Sequence, residues 1–128
     1  MKVLLDTHAL LWWLTADRQI SPCVRAVLSD PQTEAYISAV SGFEIASKAR
    51  LRKLSFGSVS LTGLPTRLTW LGYHALPLSL AHADAAGCYP AAHRDPFDRM
   101  LAAQAEIERM PLITIDPAFA AFPIETIW

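Results

Sequence analysis

The apolar residues of this chain fall into short continuous runs, separated by segments with helical spacing. Because the runs are apolar throughout, they are typical of strands buried on both faces of a parallel sheet. Strands that alternate with helices predict an α/β fold with helices covering both faces of that sheet. The predicted strands are residues 2–5, 35–37, 74–78, 112–115 and 124–127.

Capping residues mark where several of the predicted helices begin. Ser21 and Asp95 each stand directly before a proline, the arrangement typical of a helix start, and Ser79 stands before another helical segment. The helix that follows Asp95 places Leu101 and Ala105 on one face. The predicted helices are residues 7–14, 21–28, 38–54, 66–71, 79–86 and one that begins at residue 95.

Composition adds the class of protein. The chain has 128 residues, of which 52% are hydrophobic and 18% charged, so we expect one folded domain over residues 1–128. A formal charge of −1 argues against attachment to nucleic acid by excess positive charge alone. The acidic residue and the histidine close to the start exclude a signal peptide or a membrane span there. We therefore expect a cytoplasmic protein with no membrane contact, and Cys23 and Cys88 as buried thiols.

Four acidic residues lie directly after predicted strands or on the helices that connect them. Asp6 follows the first predicted strand, and Asp116 follows the fourth. Glu44 lies on the helix after the second strand, and Asp98 lies in the first turn of the helix that precedes the fourth. Ligands of parallel sheets bind at the carboxyl ends of the strands. We therefore expect all four carboxylates at one end of the sheet.

Each of these acids also has a structural explanation. Asp6 and Asp116 are placed to cap helices, and Asp98 to complement the positive end of its helix. Ser41 and Glu44 match a capping box. Considered one at a time, these structural roles account for the acids as well as a binding site does.

As a set, the four acids favour a metal site. A helix that begins at residue 38 leaves Glu44 nearly two turns inside it, with no cap to serve. Carboxylates at one sheet edge repel each other by about 1 to 4 kcal/mol per close pair. A hard divalent cation, Mg²⁺ or alternatively Mn²⁺, offsets that repulsion and prefers carboxylate oxygen. Such a site is suited to metal-assisted hydrolysis of a phosphodiester.

Four segments in the same order resemble the PIN-domain family, and specifically the toxins of VapBC-type toxin–antitoxin pairs. Phe43 stands where that family often has tryptophan, and Arg52 stands where glycine often follows the long helix. Together the segments span residues 3 to 116, nearly the whole chain. They are residues 3–7 (VLLDT), 38–45 (SAVSGFEI), 93–105 (HRDPFDRMLAAQA) and 112–116 (LITID).

The resemblance implies a three-layer α/β/α sandwich with a central parallel sheet of four to five short strands. It further implies a Mg²⁺- or Mn²⁺-dependent endoribonuclease that acts on RNA. Such proteins are usually homodimers and are inhibited by a cognate VapB-like antitoxin that occupies the active-site groove. The residues that match the family's metal-binding acids are Asp6, Glu44, Asp98 and Asp116.

Other polar residues near these acids have candidate roles. Ser41 and Thr114 resemble hydroxyls that orient carboxylates or a water molecule. Asp95 is placed to cap its helix and ranks below Asp98 as a ligand. Arg94 and Arg99 flank the acidic motif as candidate phosphate contacts, although Arg99 is equally placed to pair with an acid.

The basic run 48–53 has two interpretations: a solvated helix end that favours cations, or a rim that contacts RNA phosphates. His8 and His93 are interpreted as hydrogen-bonded structural groups. The four tryptophans are interpreted as core or interface residues instead of base-stacking platforms.

Alternatives to a nuclease are weaker. A PIN-like association module without catalysis has no reason to keep four mutually repelling carboxylates. A phosphatase with an aspartate nucleophile usually needs a second aspartate two residues after the first, where this chain has His8. A dinucleotide-binding domain would need a GxGxxG turn after a strand, and the sequence contains none.

Overall fold

The computed structural model describes residues 1–51, 63–90 and 92–128. Within these ranges five strands form one sheet in the order β3–β2–β1–β4–β5, and every neighbouring pair is parallel. The strands are β1 (Lys2–Leu5), β2 (Glu34–Ser38), β3 (His74–Leu76), β4 (Leu112–Ile113) and β5 (Thr126–Ile127). The helices are α1 (Thr7–Leu14), α2 (Pro22–Ser29), α3 (Ala39–Arg50), α4 (Leu64–Trp70), α5 (Leu80–Cys88) and α6 (Pro96–Glu108), with a 3₁₀ helix at Pro117–Ala121.

Successive residues of β1 point to opposite faces of the sheet, and each face has its own core. Val3 and Leu5 pack with residues of α1, α2, α3 and α4 on one side. Leu4 packs on the other side with residues of α6 and with Phe119 of the 3₁₀ helix. Helices therefore cover both faces of a parallel sheet, which confirms the predicted three-layer α/β/α architecture.

The strand order places the chain's direction change between β1 and β4. From β1 the sheet grows through β2 and β3 on one side, and through β4 and β5 on the other. The loops that leave β1 and β4 therefore diverge, and a crevice forms between them at the carboxyl edge of the sheet. Asp6 leaves β1 at this point, and Thr114 leaves β4 beside it.

Several boundaries differ from the sequence-based ones. β3 ends at Leu76, because Pro77 has no N–H to continue the ladder. α3 ends at Arg50 with Leu51 as its C-cap, and the predicted continuation over residues 52–54 lies outside the described residues. The 3₁₀ helix at Pro117–Ala121 was not predicted as an element, although the cap followed by proline at its start was recognised.

One prediction about burial is wrong. Cys23 and Cys88 are exposed: Cys23 precedes the buried Val24 in the first turn of α2, and Cys88 is the last residue of α5. Trp70, at the end of α4, is 87% exposed, so of the two predicted roles, core or interface, the interface role stays a prediction for this residue. Trp12 does pack against another tryptophan, Trp128, with ring centroids 5.7 Å apart. Among the described residues, no helix has the length and apolarity needed to cross a membrane.

Candidate active site

Asp6 is held rigidly at the carboxyl end of β1. It is the N-cap of α1, and its Oδ1 accepts a hydrogen bond of 2.6 Å from the backbone N–H of Ala9. The Thr114 hydroxyl also hydrogen-bonds to the carboxylate. Burial raises the pKa of the Asp6 carboxyl, and these two hydrogen bonds oppose the rise. Asp6 is therefore a helix cap and a desolvated carboxylate at the same time.

Thr114 connects Asp6 to Asp116. Its Oγ1 accepts a hydrogen bond of 3.1 Å from the backbone N–H of Asp116 and bonds to the Asp6 carboxylate as well. Asp116 caps the 3₁₀ helix through Oδ1, which accepts from the Ala118 N–H at 2.9 Å. The negative charge of Asp116 raises the pKa of Asp6 and also that of Asp98. Asp116 thus lies within electrostatic reach of both Asp6 and Asp98.

Asp98 lies in the first turn of α6 and is paired with a histidine. The His93 Nε2 lies 2.8 Å from the Asp98 Oδ2, in agreement with a hydrogen-bonded role for His93. Burial is the main cause that raises the pKa of Asp98, and the charges of Asp95 and Asp116 add to it, while His93 opposes it. Asp95 itself is the N-cap of α6 and accepts from the N–H groups of Phe97 and Asp98.

Glu44 lies in the interior of α3, as a helix start near residue 38 implies. Ser38 is the N-cap, and its Oγ accepts from the Val40 N–H at 2.9 Å, so the capping box proposed for Ser41 and Glu44 does not form. The Glu44 Oε2 lies instead 2.6 Å from the Lys48 Nζ.

An aromatic contact brings Glu44 towards α6. The rings of Phe43 and Phe97 lie 5.8 Å apart between centroids, and each precedes one of the acids, Glu44 and Asp98. Glu44 is nevertheless not among the charges that shift the pKa of Asp6 or Asp98. The charge of Asp116 therefore connects Asp6 and Asp98 electrostatically, and Glu44 has Lys48 as its ion-pair partner.

The donor chemistry suits a hard divalent cation, although the ligands are not assembled around a centre. Among residues 1–51, 63–90 and 92–128, no three His, Cys, Asp or Glu side chains gather closely enough to hold a metal ion. Carboxylate oxygens are nonetheless the ligands that Mg²⁺ and Mn²⁺ prefer. Two buried hydroxyls, Thr7 Oγ1 beside Asp6 and Ser41 Oγ one turn before Glu44, have no hydrogen-bond partner among the described residues. Such orphaned groups are typical of sites that receive water or a ligand.

The family follows from a comparison of the whole sequence. The model of the PIN domain family matches residues 3–125. The chain belongs to the PIN domain family. A comparison with curated proteins finds no match.

Solved structures share the fold of this PIN domain. VapBC2 from Rickettsia felis, bound to a DNA fragment from their promoter, matches at a TM-score of 0.72 and 15% identity, over 100% of this chain and 99% of that chain. FitAcB from Neisseria gonorrhoeae matches at a TM-score of 0.68 and 21% identity, over 100% of this chain and 97% of that chain. A toxin–antitoxin complex from Klebsiella pneumoniae matches at a TM-score of 0.62 and 21% identity, over 94% of this chain and 92% of that chain. At these identities the likeness shows a shared fold.

Arg99 has a structural role in this PIN domain. Its guanidinium donates to the carbonyl oxygens of Ala86 and His93, both at 2.8 Å, and of Tyr89 at 2.6 Å. These bonds tie the end of α5 and the segment after it to the first turns of α6. The described hydrogen bonds of Arg99 are thus to backbone carbonyls, and its contact with a phosphate or an acid stays a prediction. Arg94 is exposed at the same end of α6.

Sequence reasoning left two residues of this PIN domain without a role. Lys48 was considered only as part of the basic run, yet its spacing of four residues from Glu44 is the helical pairing distance. Gln104 lies on the buried face of α6, where a polar side chain needs a partner; its Oε1 accepts from the Ser38 hydroxyl at 2.5 Å. Of the basic run, residues 52 and 53 lie outside the described residues.

Proposed function

We propose that this PIN domain is a Mg²⁺-dependent endoribonuclease and the toxin of a toxin–antitoxin pair. The observation that carries the proposal is the group of Asp6, Asp98 and Asp116, in which the charge of Asp116 raises the pKa of both other carboxyls. Asp6 is buried and Asp98 is half-buried, and the charge of Asp116 raises the pKa of both carboxyls. A cation placed between the three carboxylates would offset that repulsion.

Asp6, Asp98 and Asp116 would hold the metal ion, with Glu44 as the fourth carboxylate. Mg²⁺ is the proposed ion, and Mn²⁺ is its substitute. When bound, the divalent ion supplies positive charge to the phosphate in the transition state and makes water more acidic. The Thr114 hydroxyl and the Ala9 N–H fix the orientation of the Asp6 carboxylate, and His93 fixes that of Asp98.

The reaction is hydrolysis of an RNA phosphodiester by water. The water oxygen forms a bond to phosphorus, one P–O ester bond breaks, and the leaving oxygen receives a proton. The chain's own residues keep their carboxylates oriented towards the substrate and form no covalent bond with it. Ser41, with its buried hydroxyl unpartnered, is placed to bond a water in this site. Arg94 is the exposed cation proposed to contact a neighbouring phosphate.

The proposed partner is a VapB-like antitoxin that covers the carboxyl edge of the sheet. Support comes from the toxin–antitoxin complexes among the structures that share this fold. We further propose that residues 1–128 act as a single domain, as a homodimer and in the cytoplasm. Large apolar side chains at the surface, Trp70 and Leu80 among them, are candidates for contact with a second copy.

The decisive experiment is cleavage of a mixed RNA pool by antitoxin-free protein. Wild type, Asp6→Asn and the control Asp84→Asn, which alters an exposed acid on α5, are each assayed with Mg²⁺ and with EDTA. We expect cleavage by wild type and by the control in Mg²⁺, with a loss of about 100-fold or more in Asp6→Asn and in EDTA. Cleavage that survives EDTA would contradict the proposal.

One observation favours a second candidate, an association module without catalysis. No three acidic, histidine or cysteine side chains among the described residues gather as they would around a bound metal ion. This candidate predicts neither cleavage nor Mn²⁺ binding by the purified chain. Mn²⁺ binding without cleavage would instead indicate a narrow substrate that is missing from the pool.

A further inference from the structure

Glu44 and Lys48 form a close ion pair on one turn of α3. The Glu44 Oε2 and the Lys48 Nζ are 2.6 Å apart, the distance of a charge-assisted hydrogen bond. The Glu44 side chain is only 14% exposed and that of Lys48 is 34% exposed, so the pair is partly removed from solvent. Screening by water and salt is weaker there than at a fully exposed pair.

The ion pair gives the Glu44 carboxylate a positively charged partner on its own helix. The charge of Asp116 raises the pKa of both Asp6 and Asp98, whereas Glu44 is not among the causes of either shift. The Lys48 ammonium lies against the Glu44 Oε2, an oxygen that would be available to a metal ion if the lysine were absent. A divalent ion that binds Glu44 directly must therefore displace the ammonium or accept it as a positively charged neighbour.

We propose that Lys48 is an internal cation of the site, which positions Glu44 and competes with a divalent metal ion for the Glu44 carboxylate. The inference rests on the proposed function, since it needs a metal site at the three aspartates. In the metal-free protein Glu44 is paired with Lys48, so the metal affinity of the whole site depends on a residue that is not itself a ligand. Lys48 is thus a positioning residue that limits how tightly the ion is bound.

The test is a titration with Mn²⁺ alone, with free Mn²⁺ measured by electron paramagnetic resonance. Lys48→Met removes the ammonium and keeps an unbranched side chain of similar length. Arg50→Met is the matched control, because it removes the same charge from the exposed face of the last turn of α3. Lys48→Arg keeps the charge, and Glu44→Gln, alone and with Lys48→Met, shows whether the effect passes through Glu44.

We expect Lys48→Met to lower the Kd for Mn²⁺ about tenfold, because a like charge next to the ion has been removed. Arg50→Met and Lys48→Arg should each change the Kd by less than about twofold. In the Glu44→Gln background, the effect of Lys48→Met should fall to a small fraction of its size in wild type. Melting curves without metal establish that each variant is folded.

The outcomes separate this inference from the proposed function. Equal Kd values for wild type and Lys48→Met, with Mn²⁺ bound by both, would overturn the competition and leave the metal site standing. Failure of every variant to bind Mn²⁺ would overturn both. Binding by Lys48→Met but not by wild type would support the inference in its strongest form. An effect of the same size in the Glu44→Gln background would exclude action through Glu44.

Discussion

Single residues in this PIN domain serve the fold and the candidate site at once. Asp6 caps α1, Asp116 caps the 3₁₀ helix, and the charge of Asp116 raises the pKa of Asp6. The two interpretations that the sequence left open, caps or a metal site, are therefore not exclusive. A cap uses one carboxylate oxygen and fixes the side chain, which pre-organises the second oxygen for a ligand.

Asp98 should destabilise the metal-free protein at neutral pH. Burial and the charges of Asp95 and Asp116 raise its pKa above the ordinary value of 3.8. Because the pKa is raised in the folded state, protonation of Asp98 stabilises the fold. This stabilisation is fully present at a pH below 3.8 and is lost as the pH rises through the raised pKa. Asp98→Asn imitates the protonated form. We expect the variant to be more stable than wild type by about 0.5 to 1 kcal/mol at pH 7.

Urea unfolding in EDTA across a range of pH checks this expectation. The advantage of Asp98→Asn should shrink towards zero as the pH falls to the ordinary aspartate value, and it should be full at neutral pH. The control Asp84→Asn, at an exposed site on α5, should follow wild type throughout. Destabilisation of Asp98→Asn at neutral pH would mean that Asp98 is needed for folding, through its bond to His93.

At the scale of elements, polar side chains of α6 hold the surrounding segments in place. Arg99 binds carbonyl groups at the end of α5, and Gln104 connects α6 to the ends of two strands. The Gln104 Nε2 donates to the Pro77 carbonyl at 3.2 Å, after β3, while Oε1 accepts from Ser38 at the end of β2. The helix that carries Asp98 is thereby tied to the carboxyl edge of the sheet.

Gln104→Met should test this connection. Methionine has a similar volume but leaves the Pro77 carbonyl and the Ser38 hydroxyl without their partner, so we expect a loss of about 2 kcal/mol in the free energy of unfolding. Gln19→Met, at an exposed position, is the matched control and should change it by less than about 0.5 kcal/mol. Equal values for the two variants, measured by urea unfolding, would show that the buried amide does not stabilise the fold.

Across the whole molecule, features set by residues close together in the sequence were predicted better than features set by residues far apart in it. β1 and α1 were predicted with the bounds they have, because apolar runs and caps are local signals. The fourth strand was predicted from its apolar run over residues 112–115, but its end at Ile113 depends on pairing with β1 and β5, which a local pattern does not show. The acids were found from their positions after strands, whereas the roles of Arg99 and Gln104 depend on which carbonyls and hydroxyls the fold brings near. The prediction that Cys23 and Cys88 are buried was wrong for the same reason, because composition does not show which face of a helix is covered.

The last prediction couples metal, pH and the stability of the whole chain. An ion that binds only the folded state stabilises it by about 2.7 kcal/mol at a concentration 100 times its Kd. The ion binds ionised carboxylates, and burial raises the pKa of both Asp6 and Asp98, so protons compete at a higher pH than for ordinary aspartates. We therefore expect the rise in Tm caused by Mn²⁺ to be full at neutral pH and to decline on acidification well before pH 3.8 is reached. Thermal melts with Mn²⁺ and with EDTA measure it, and Asp98→Asn should lose most of the rise at every pH. A rise that persists unchanged down to pH 3.8 would show that these carboxylates do not hold the ion.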